Sequence, residues 1–490
     1  ALTPQMLDRV RGRFPEQVGV LHSSLTSTER WRQWRRISRG EVAVVVGARS
    51  AVFAPIPDLG LIVVDEEHDS SYKQEEGLRY HARDLAVVRG KLAGCPVLLG
   101  SATPSVESYE NSQRGRYRLL RLTERVEGKA LPKIETVDLR LEARGEKGSV
   151  EPPSSSSDYF SAPLRGAVQE NYARGRQTLI FLNRRGFAHF LQCGLCGFVL
   201  RCPDCSISLT HHLKERRVVC HHCGLWKPVS DLCPQCGHRT LSGIGFGTEK
   251  IEEELGRLVP GARLGRMDRD TTSRRGSHER MIRQWEKGGI DILVGTQMIT
   301  KGHDVGGVTL VGVILADLSL NIPDFRAAEK TFQLLSQVAG RSGRGKEPGR
   351  VILQTFVPDH YSFQFISSHD YEGFFASEME FRRALNYPPF SRLVQLRFES
   401  PELPAAEQSA RSVGEILWRR QSMCHGSSEV EILGPAPAPI EKLRGRYRWQ
   451  ILMKGKKNSR LLELAKEVRT MLPRSRSVRV HVDVDPYSML

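Results

Sequence analysis

The sequence predicts an α/β chain with two lobes built on parallel sheets, a cysteine-rich insert in the second lobe, and a small α+β domain at the end. Three observations predict it. Short apolar runs alternate with polar helical stretches in a βαβ rhythm. Four CxxC pairs crowd into one stretch of the second lobe. The character of the chain changes near residue 370, where alternating strands replace buried ones.

The first lobe is placed at residues 1–125. Val18–Leu21, Val42–Val46, Leu61–Val64 and Val97–Leu99 read as buried parallel strands, with helical segments such as Ser27–Ser38 between them. Residues 140–158 include Pro152-Pro153-Ser154-Ser155-Ser156-Ser157 and read as an exposed linker. The second lobe is placed at 126–370, with strands Thr178–Leu182, Ile290–Val294, Leu310–Leu315 and Val351–Phe356 and the insert at 190–242. The last domain, 371–490, carries strands Leu393–Phe398, Trp449–Met453 and Val478–Val484 and a helix near 404–421.

Composition limits the partners. The 490 residues carry a formal net charge of +16, with ordinary apolar and charged fractions of 39% and 26%. A basic excess fits a polyanion, because neutralising phosphates releases counterions; a membrane surface or ribosome would fit on charge alone. No apolar run approaches the roughly 20 residues of a membrane span. The N-terminus, Ala1-Leu2-Thr3-Pro4, has no signal-peptide pattern, so a soluble, intracellular protein is expected.

The chemistry-bearing residues sit at strand ends. The apolar strand 61–64 delivers Asp65-Glu66-Glu67-His68 at its C-terminal end, where α/β folds place ligands. Phosphoryl transfer from ATP needs one acid to hold Mg²⁺ and another to orient the attacking water; Asp65 suits the first role and Glu66 the second. A solvated acidic turn is the alternative. Gly100-Ser101-Ala102-Thr103-Pro104 follows the next strand and reads either as a link from the nucleotide site or as a helix N-cap turn. Gln337-Val338-Ala339-Gly340-Arg341-Ser342-Gly343-Arg344 sets Gln337, Arg341 and Arg344 among glycines, as phosphate-facing guanidinium groups require. Gly295-Thr296 with Lys301-Gly302 forms a polar loop after the strand 290–294, suited to nucleotide or to a DNA backbone, or to nothing more than connection.

Candidate nucleic-acid contacts are Arg49, Arg184 and Arg185, together with Lys301 and the aromatic pair Tyr72 and Tyr80. Gly243 to Thr248 reads as a glycine turn into a helix capped by Thr248, because it lacks the Gly-Lys-Ser/Thr ending of a phosphate loop. No GxxxxGK[ST] occurs anywhere in the 490 residues, so the first lobe is incomplete as a nucleotide site.

The cysteines are Cys193, Cys196, Cys202, Cys205, Cys220, Cys223, Cys233 and Cys236. Four knuckles presenting two thiolates each make two closed Cys₄ sites for structural Zn²⁺, with no position left open for catalysis. His221 and His222 lie inside the array but the cysteine count is already complete.

Taken in order, these segments resemble superfamily-2 helicases. The stretches 65–74, 79–84, 181–186 and 268–272, with the four CxxC pairs, Gly445-Arg446-Tyr447-Arg448-Trp449 and Asp483-Val484-Asp485-Pro486, narrow the resemblance to the PriA (primosomal protein N′) family. It implies two RecA-like helicase lobes and a 3′→5′ DNA helicase that recognises stalled or repaired forks and restarts replication. It implies that the loop carrying Tyr72 and Tyr80 couples single-stranded DNA to ATP hydrolysis. It also implies nested zinc pairing, Cys193, Cys196, Cys233 and Cys236 outside and Cys202, Cys205, Cys220 and Cys223 inside. The implied partners are single-stranded and forked DNA, single-stranded-DNA-binding protein, and primosome and helicase-loading proteins, in a cytoplasmic, nucleoid-associated setting with no membrane. The family carries its phosphate-binding Lys loop ahead of the segment that begins at Leu2, so the chain reads as a fragment with little ATPase by itself. The competing readings are a non-catalytic zinc-containing module for DNA binding and primosome docking, and a zinc-bearing translocase on RNA.

Overall fold

The computed structural model describes residues 4–490 apart from 24, 123–129, 143–158, 184–189, 213–214, 231, 240, 244–246, 269–276, 301–306, 346, 424–429, 457, 472–476 and 490. The linker expected around Pro152–Ser157 lies outside the described residues. Two compact units are present, one of residues 1–119 with 300–304 and one of residues 120–299 with 305–490.

The first unit opens with α1 (Pro4–Arg13), β1 (Val18–Leu21), α2 (Ser27–Ser38) and β2 (Val44–Gly47). It continues with β3 (Ile62–Asp65), α3 (Ala82–Ala93), β4 (Val97–Gly100) and α4 (Val106–Gln113). β1 pairs in parallel with β2, and β3 with β4, as two separate pairs. α2 starts where Thr26 and Glu29 form a reciprocal capping box, each side chain accepting from the other's backbone N–H. The strand at 61–64 was expected to be buried; instead Leu61, Val63 and Leu98 are exposed, Val63 at 61%. α3 packs on β3 and β4, while Val63 and Leu98 of the same pair of strands lie exposed.

The second unit contains a doubly wound lobe. β5 (Lys133–Asp138), α5 (Leu139–Glu142), α6 (Ala162–Ala173) and β6 (Gln177–Phe181) precede the insert. The insert holds the short strands β7 (Leu191–Cys193), β8 (Thr210–His212), β9 (Arg217–Val219), β10 (Trp226–Pro228) and β11 (Leu241–Gly243). After it come α7 (Thr248–Leu258), β12 (Leu264–Met267), α8 (Ser277–Glu286), β13 (Ile292–Gly295) and β14 (Val308–Val313). The lobe ends with α9 (Ala327–Ala339), β15 (Arg350–Thr355), α10 (Tyr361–Ser367) and α11 (Tyr371–Ala384). Six strands form one parallel sheet in the order β12-β13-β6-β14-β15-β5. Alternation along β6 fills both sides: Leu179 and Phe181 join one core with Trp285, Phe332 and Phe363, while Ile180 joins the other with Leu164 and Ile251.

The chain ends as β16 (Arg392–Ser400), α12 (Leu403–Met423), β17 (Val430–Leu443), β18 (Arg446–Gly455), α13 (Asn458–Met471) and β19 (Arg479–Val484). The antiparallel sheet runs β17-β18-β16-β19, which with the βαββαβ order is a split βαβ domain. Val394, Leu396 and Phe398 of β16 face α12 and α13. On the other side of the sheet, Leu393 and Leu452 cluster with Phe325 of the lobe. That shared core is why the domain joins the lobe in one unit.

Candidate nucleotide and zinc sites

β3 stops at an acidic turn that is locked from within. Glu66 takes a left-handed φ of +48°, a strained choice for a residue with a Cβ, and its N–H donates to Asp65 Oδ1 at 3.1 Å. The Glu67 N–H donates to Gly100 O at 3.0 Å, joining the turn to β4. Glu67 is 1% exposed, and its carboxylate accepts from Arg83 Nη1 (3.1 Å), Ser105 N (2.6 Å) and Ser108 Oγ (2.8 Å). Burial opposes the Arg83 charge, but Asp84 and Glu67 outweigh it and raise its pKa. Asp65 is left exposed, and Glu66 is half-exposed.

The turn also reaches the loop after β4. His68 Nδ1 hydrogen-bonds Ser101 Oγ at 2.7 Å, and its Nε2 lies 3.6 Å from Glu66 Oε2. Ser101 Oγ also accepts from the Thr103 N–H at 3.0 Å. The helix cap expected of Ser101 or Thr103 is supplied instead by Ser105, which accepts from the Ser108 N–H. Ser101 is therefore available to connect the acidic turn with the next loop.

The proposed DNA contacts of this unit gather behind the same turn. The Tyr72 hydroxyl donates to Asp65 O at 2.7 Å. Burial, reinforced by Asp65 and Asp69, pushes its pKa up to about 12. Arg49 donates to Ser71 O at 2.9 Å and Lys73 O at 2.5 Å, pinning the loop from the side of β2. Tyr80 packs edge-on against Phe53 with centroids 5.0 Å apart. Arg49 and Tyr72 thus position the loop and the strand end, a use that no spacing in the sequence signals.

In the second unit, Gln337 occupies the last turn of α9, and Arg341 and Arg344 follow its Gly340 cap. The Ser342 hydroxyl donates to Thr309 O at 2.9 Å, and the Gly343 N–H donates to Val308 O at 3.1 Å. Arg344 Nε donates to Gly340 O at 2.9 Å. These bonds fix the arginine turn at the N-terminal ends of β14 and β15. Gly295 and Thr296 lie at the opposite, C-terminal edge, where β13 ends beside Phe181 of β6. Five steps of the six-residue β14 separate the two edges by about 17 Å. The structure therefore does not bring Gly295 and Thr296 together with the arginines. A Cβ at Gly295 would overlap Ile299 Cδ1, so the glycine serves the tight turn after β13. Lys301, Gly302, Arg184 and Arg185 lie outside the described residues. Thr248 does not cap α7 as expected: Gly247 is the cap residue, and the Thr248 hydroxyl donates to the buried Asp268 at 2.7 Å.

The eight cysteines form two groups, Cys193, Cys196, Cys233 and Cys236, and Cys202, Cys205, Cys220 and Cys223. Within each group all four Sγ atoms lie within 4.8 Å of one another. Sγ separations are 3.7 Å for Cys193–Cys236, 3.6 Å for Cys196–Cys233 and 3.6 Å for Cys202–Cys223. A tetrahedral Zn²⁺ with Zn–S bonds of about 2.3 Å sets its sulfurs about 3.8 Å apart, whereas a disulfide needs about 2.05 Å. The donor set fits zinc.

Every CxxC folds into the same knuckle. The fifth residue donates its N–H to the first cysteine's carbonyl, at 2.9, 2.9, 2.9 and 2.8 Å for Gly197, Ser206, Gly224 and Gly237. Each of those residues is left-handed, with φ from +55° to +84°. Three are glycine; Ser206 bears the strain of a Cβ. The CxxCG pattern was present in the sequence as a signal of this turn.

Each zinc group is fastened to a different neighbour. The outer group sits against the lobe: Gln192 donates to the buried Asp317 at 2.9 Å, and Gly197 packs directly on Phe356. The inner group sits against the terminal domain. His221 Nδ1 bonds Pro437 O at 2.7 Å, Gln450 donates to His221 O at 2.7 Å, and His222 Nδ1 bonds the Tyr387 hydroxyl at 3.2 Å. Burial lowers the pKa of both histidines, to about 3 and about 4, so each is neutral.

Among the described residues no helix is long and apolar enough to cross a membrane. Residues 1–112 match a DEAD/DEAH box helicase family, residues 202–228 a PriA DNA helicase Cys-rich region (CRR) domain, and residues 383–487 a Primosomal protein N C-terminal domain. The chain is 45% identical over its full length to a replication restart protein PriA of Bacillus subtilis, of which it covers 60%. It is 41% identical to that of Synechocystis, covering 58%, and 40% identical to that of Treponema pallidum, covering 72%. It thus spans about 60% of the length of the first two relatives. With matched segments at the acidic turn, the inner knuckles and the split βαβ domain, the chain belongs to the PriA family of replication restart proteins.

Proposed function

We propose that this chain supplies the helicase lobes, zinc insert and terminal domain of an ATP-driven 3′→5′ DNA helicase that recognises stalled or repaired forks and initiates primosome assembly. The observation that carries the reading is the connection from Glu66 through His68 to Ser101, at the end of a parallel strand that also presents Asp65. Asp65 holds Mg²⁺, which when bound neutralises charge on the phosphate oxygens, and Glu66 orients the attacking water. Gln337, Arg341 and Arg344 face the transferring phosphoryl group. Gly295 and Thr296, at the far strand edge, serve the DNA backbone rather than ATP. The loop of Tyr72 reports the DNA strand to Asp65 through the bond between its hydroxyl and the strand end. Both Cys₄ groups hold structural Zn²⁺. Single-stranded and forked DNA, single-stranded-DNA-binding protein and helicase-loading proteins are the partners, in the cytoplasm at the nucleoid. By itself the chain hydrolyses ATP weakly, because no GxxxxGK[ST] occurs among its residues.

The test uses the longer protein that contains this chain. Glu66→Gln should lower ATP hydrolysis and unwinding by about 100-fold or more while DNA binding stays at the parental level. A variant that unwinds at the parental rate would remove Glu66 from the mechanism.

A further inference from the structure

α2 carries a surface that the nucleotide site and the zinc groups do not use. Only one side of this helix is anchored. Ile37 is fully buried in a small core with Leu21, Val42 and Ala54, and the Gln33 side chain accepts from the Val20 N–H at 3.3 Å. Arg30, Trp34, Trp31 and Arg35 follow one another around the helix from the azimuth of Ile37 outward, all exposed, and Arg30 Nη2 also donates to Leu25 O at 3.4 Å. Trp31 is 56% and Trp34 42% exposed, unusual for the two largest apolar side chains of one short helix. At i and i+3 the indoles are neighbours on the helix, and Arg35 lies over the Trp31 ring at 4.8 Å. Arg32 is exposed on the flank. Arg36 turns the other way, to Glu16 O and Glu41.

We propose that this Trp–Arg face of α2 is a contact site for single-stranded nucleic acid, with the indoles stacking on unpaired bases and the guanidinium groups on flanking phosphates. The chemistry selects the occupant. Exposed planar rings take π-faces, which a duplex hides inside its stack, and the arginines beside them require an anion. A membrane-surface helix separates its apolar and charged residues onto opposite faces; here Trp and Arg share one face. The helix leaves the sheet beside the turn from which Arg49 pins the Tyr72 loop. The Ala48 N–H donates to Leu21 O, so Arg49 follows β2 at the same edge from which α2 departs. The first turns of α2 therefore extend that edge along the helix.

The experiment uses the 490-residue chain, a fluorescein-labelled oligo(dT) of about 15 nucleotides, and anionic phosphatidylserine vesicles. Trp31→Ala/Trp34→Ala should weaken oligo(dT) binding about tenfold without changing the salt slope, and Trp31→Phe/Trp34→Phe should restore most of it. Arg30→Gln/Arg35→Gln should reduce the slope of log K against log salt by about 1.4. Photocrosslinking with iododeoxyuridine in the strand should label Trp31 or Trp34. Zinc content and circular dichroism, both unchanged, establish that each variant is folded. The inference is overturned if the folded alanine variant binds as tightly as the parent, or if it loses vesicle binding instead. If the parent chain itself fails to bind oligo(dT), the DNA reading of the nucleotide site falls with it; if only the variants fail to differ, that reading stands.

Discussion

Glu67 lies between residues assigned to chemistry, yet its carboxylate is used inside the fold, held by Arg83, Ser105 and Ser108. Nothing in the run Asp65-Glu66-Glu67-His68 separates the three acids; only burial does. The glycines of the knuckles can be separated by experiment. Gly197→Ala places a Cβ 2.6 Å from Phe356 O and also forces a left-handed φ, so it should cost about 3 kcal/mol or more. Gly237→Ala meets nothing within 4 Å and should cost only the backbone share, about 1 kcal/mol. Urea unfolding of the two variants checks the difference. His81 gives a pH prediction. Burial, aided by Arg83, lowers its pKa to about 3, against about 6.5 in the unfolded chain. Between those values the unfolded state binds the extra proton, so stability should fall as pH is lowered from about 6.5 toward 3, with a slope of up to about 1.4 kcal/mol per pH unit. His81→Gln should flatten that part of the urea-midpoint profile.

At the scale of elements, eight parallel strands were legible because short apolar runs ended at glycine or polar turns, and their positions fell within two residues of those read; β5 and β12, the two edges of the six-stranded sheet, were not read, because Lys133-Ile134-Glu135-Thr136-Val137-Asp138 and Leu264-Gly265-Arg266-Met267 contain no apolar run. β17 was not legible. It contains Pro435, Pro437 and Pro439, which argue against a strand in a sheet interior. It is an edge strand, paired with β18 alone, where a missing N–H is tolerated. The knuckles were legible as ligand pairs from CxxC spacing, whereas their grouping rested on the family resemblance. The metal prediction belongs here. The purified chain should contain two Zn²⁺ by elemental analysis, and Cys233→Ser should leave one. Chelation of both should expose the junction of β17 and β18 with the inner knuckles to limited proteolysis, since His221 and His222 would lose the turn that aims them.

Over the whole molecule, the sequence carried the order of the parts but not their joints. Gln192–Asp317, His221–Pro437, His221–Gln450, His222–Tyr387 and the shared core of Phe325 with Leu393 and Leu452 link residues as far as 229 positions apart. Such pairs have no local pattern. The arginines near 341–344 and the Gly295 turn illustrate the same limit: both sit at strand ends, but only sheet topology reveals that the ends are opposite ones. The acids of the first unit and the arginines of the second are read together from motif order, and Glu66→Gln is the measurement that bears on their joint action.

The cysteine insert is clamped to the six-stranded sheet by one thiolate cluster and to the four-stranded sheet by the other. It therefore behaves as a rivet through two plates. Loss of zinc from either group would release one of the two clamps, leaving the lobe and the terminal domain joined through Phe325, Leu393 and Leu452.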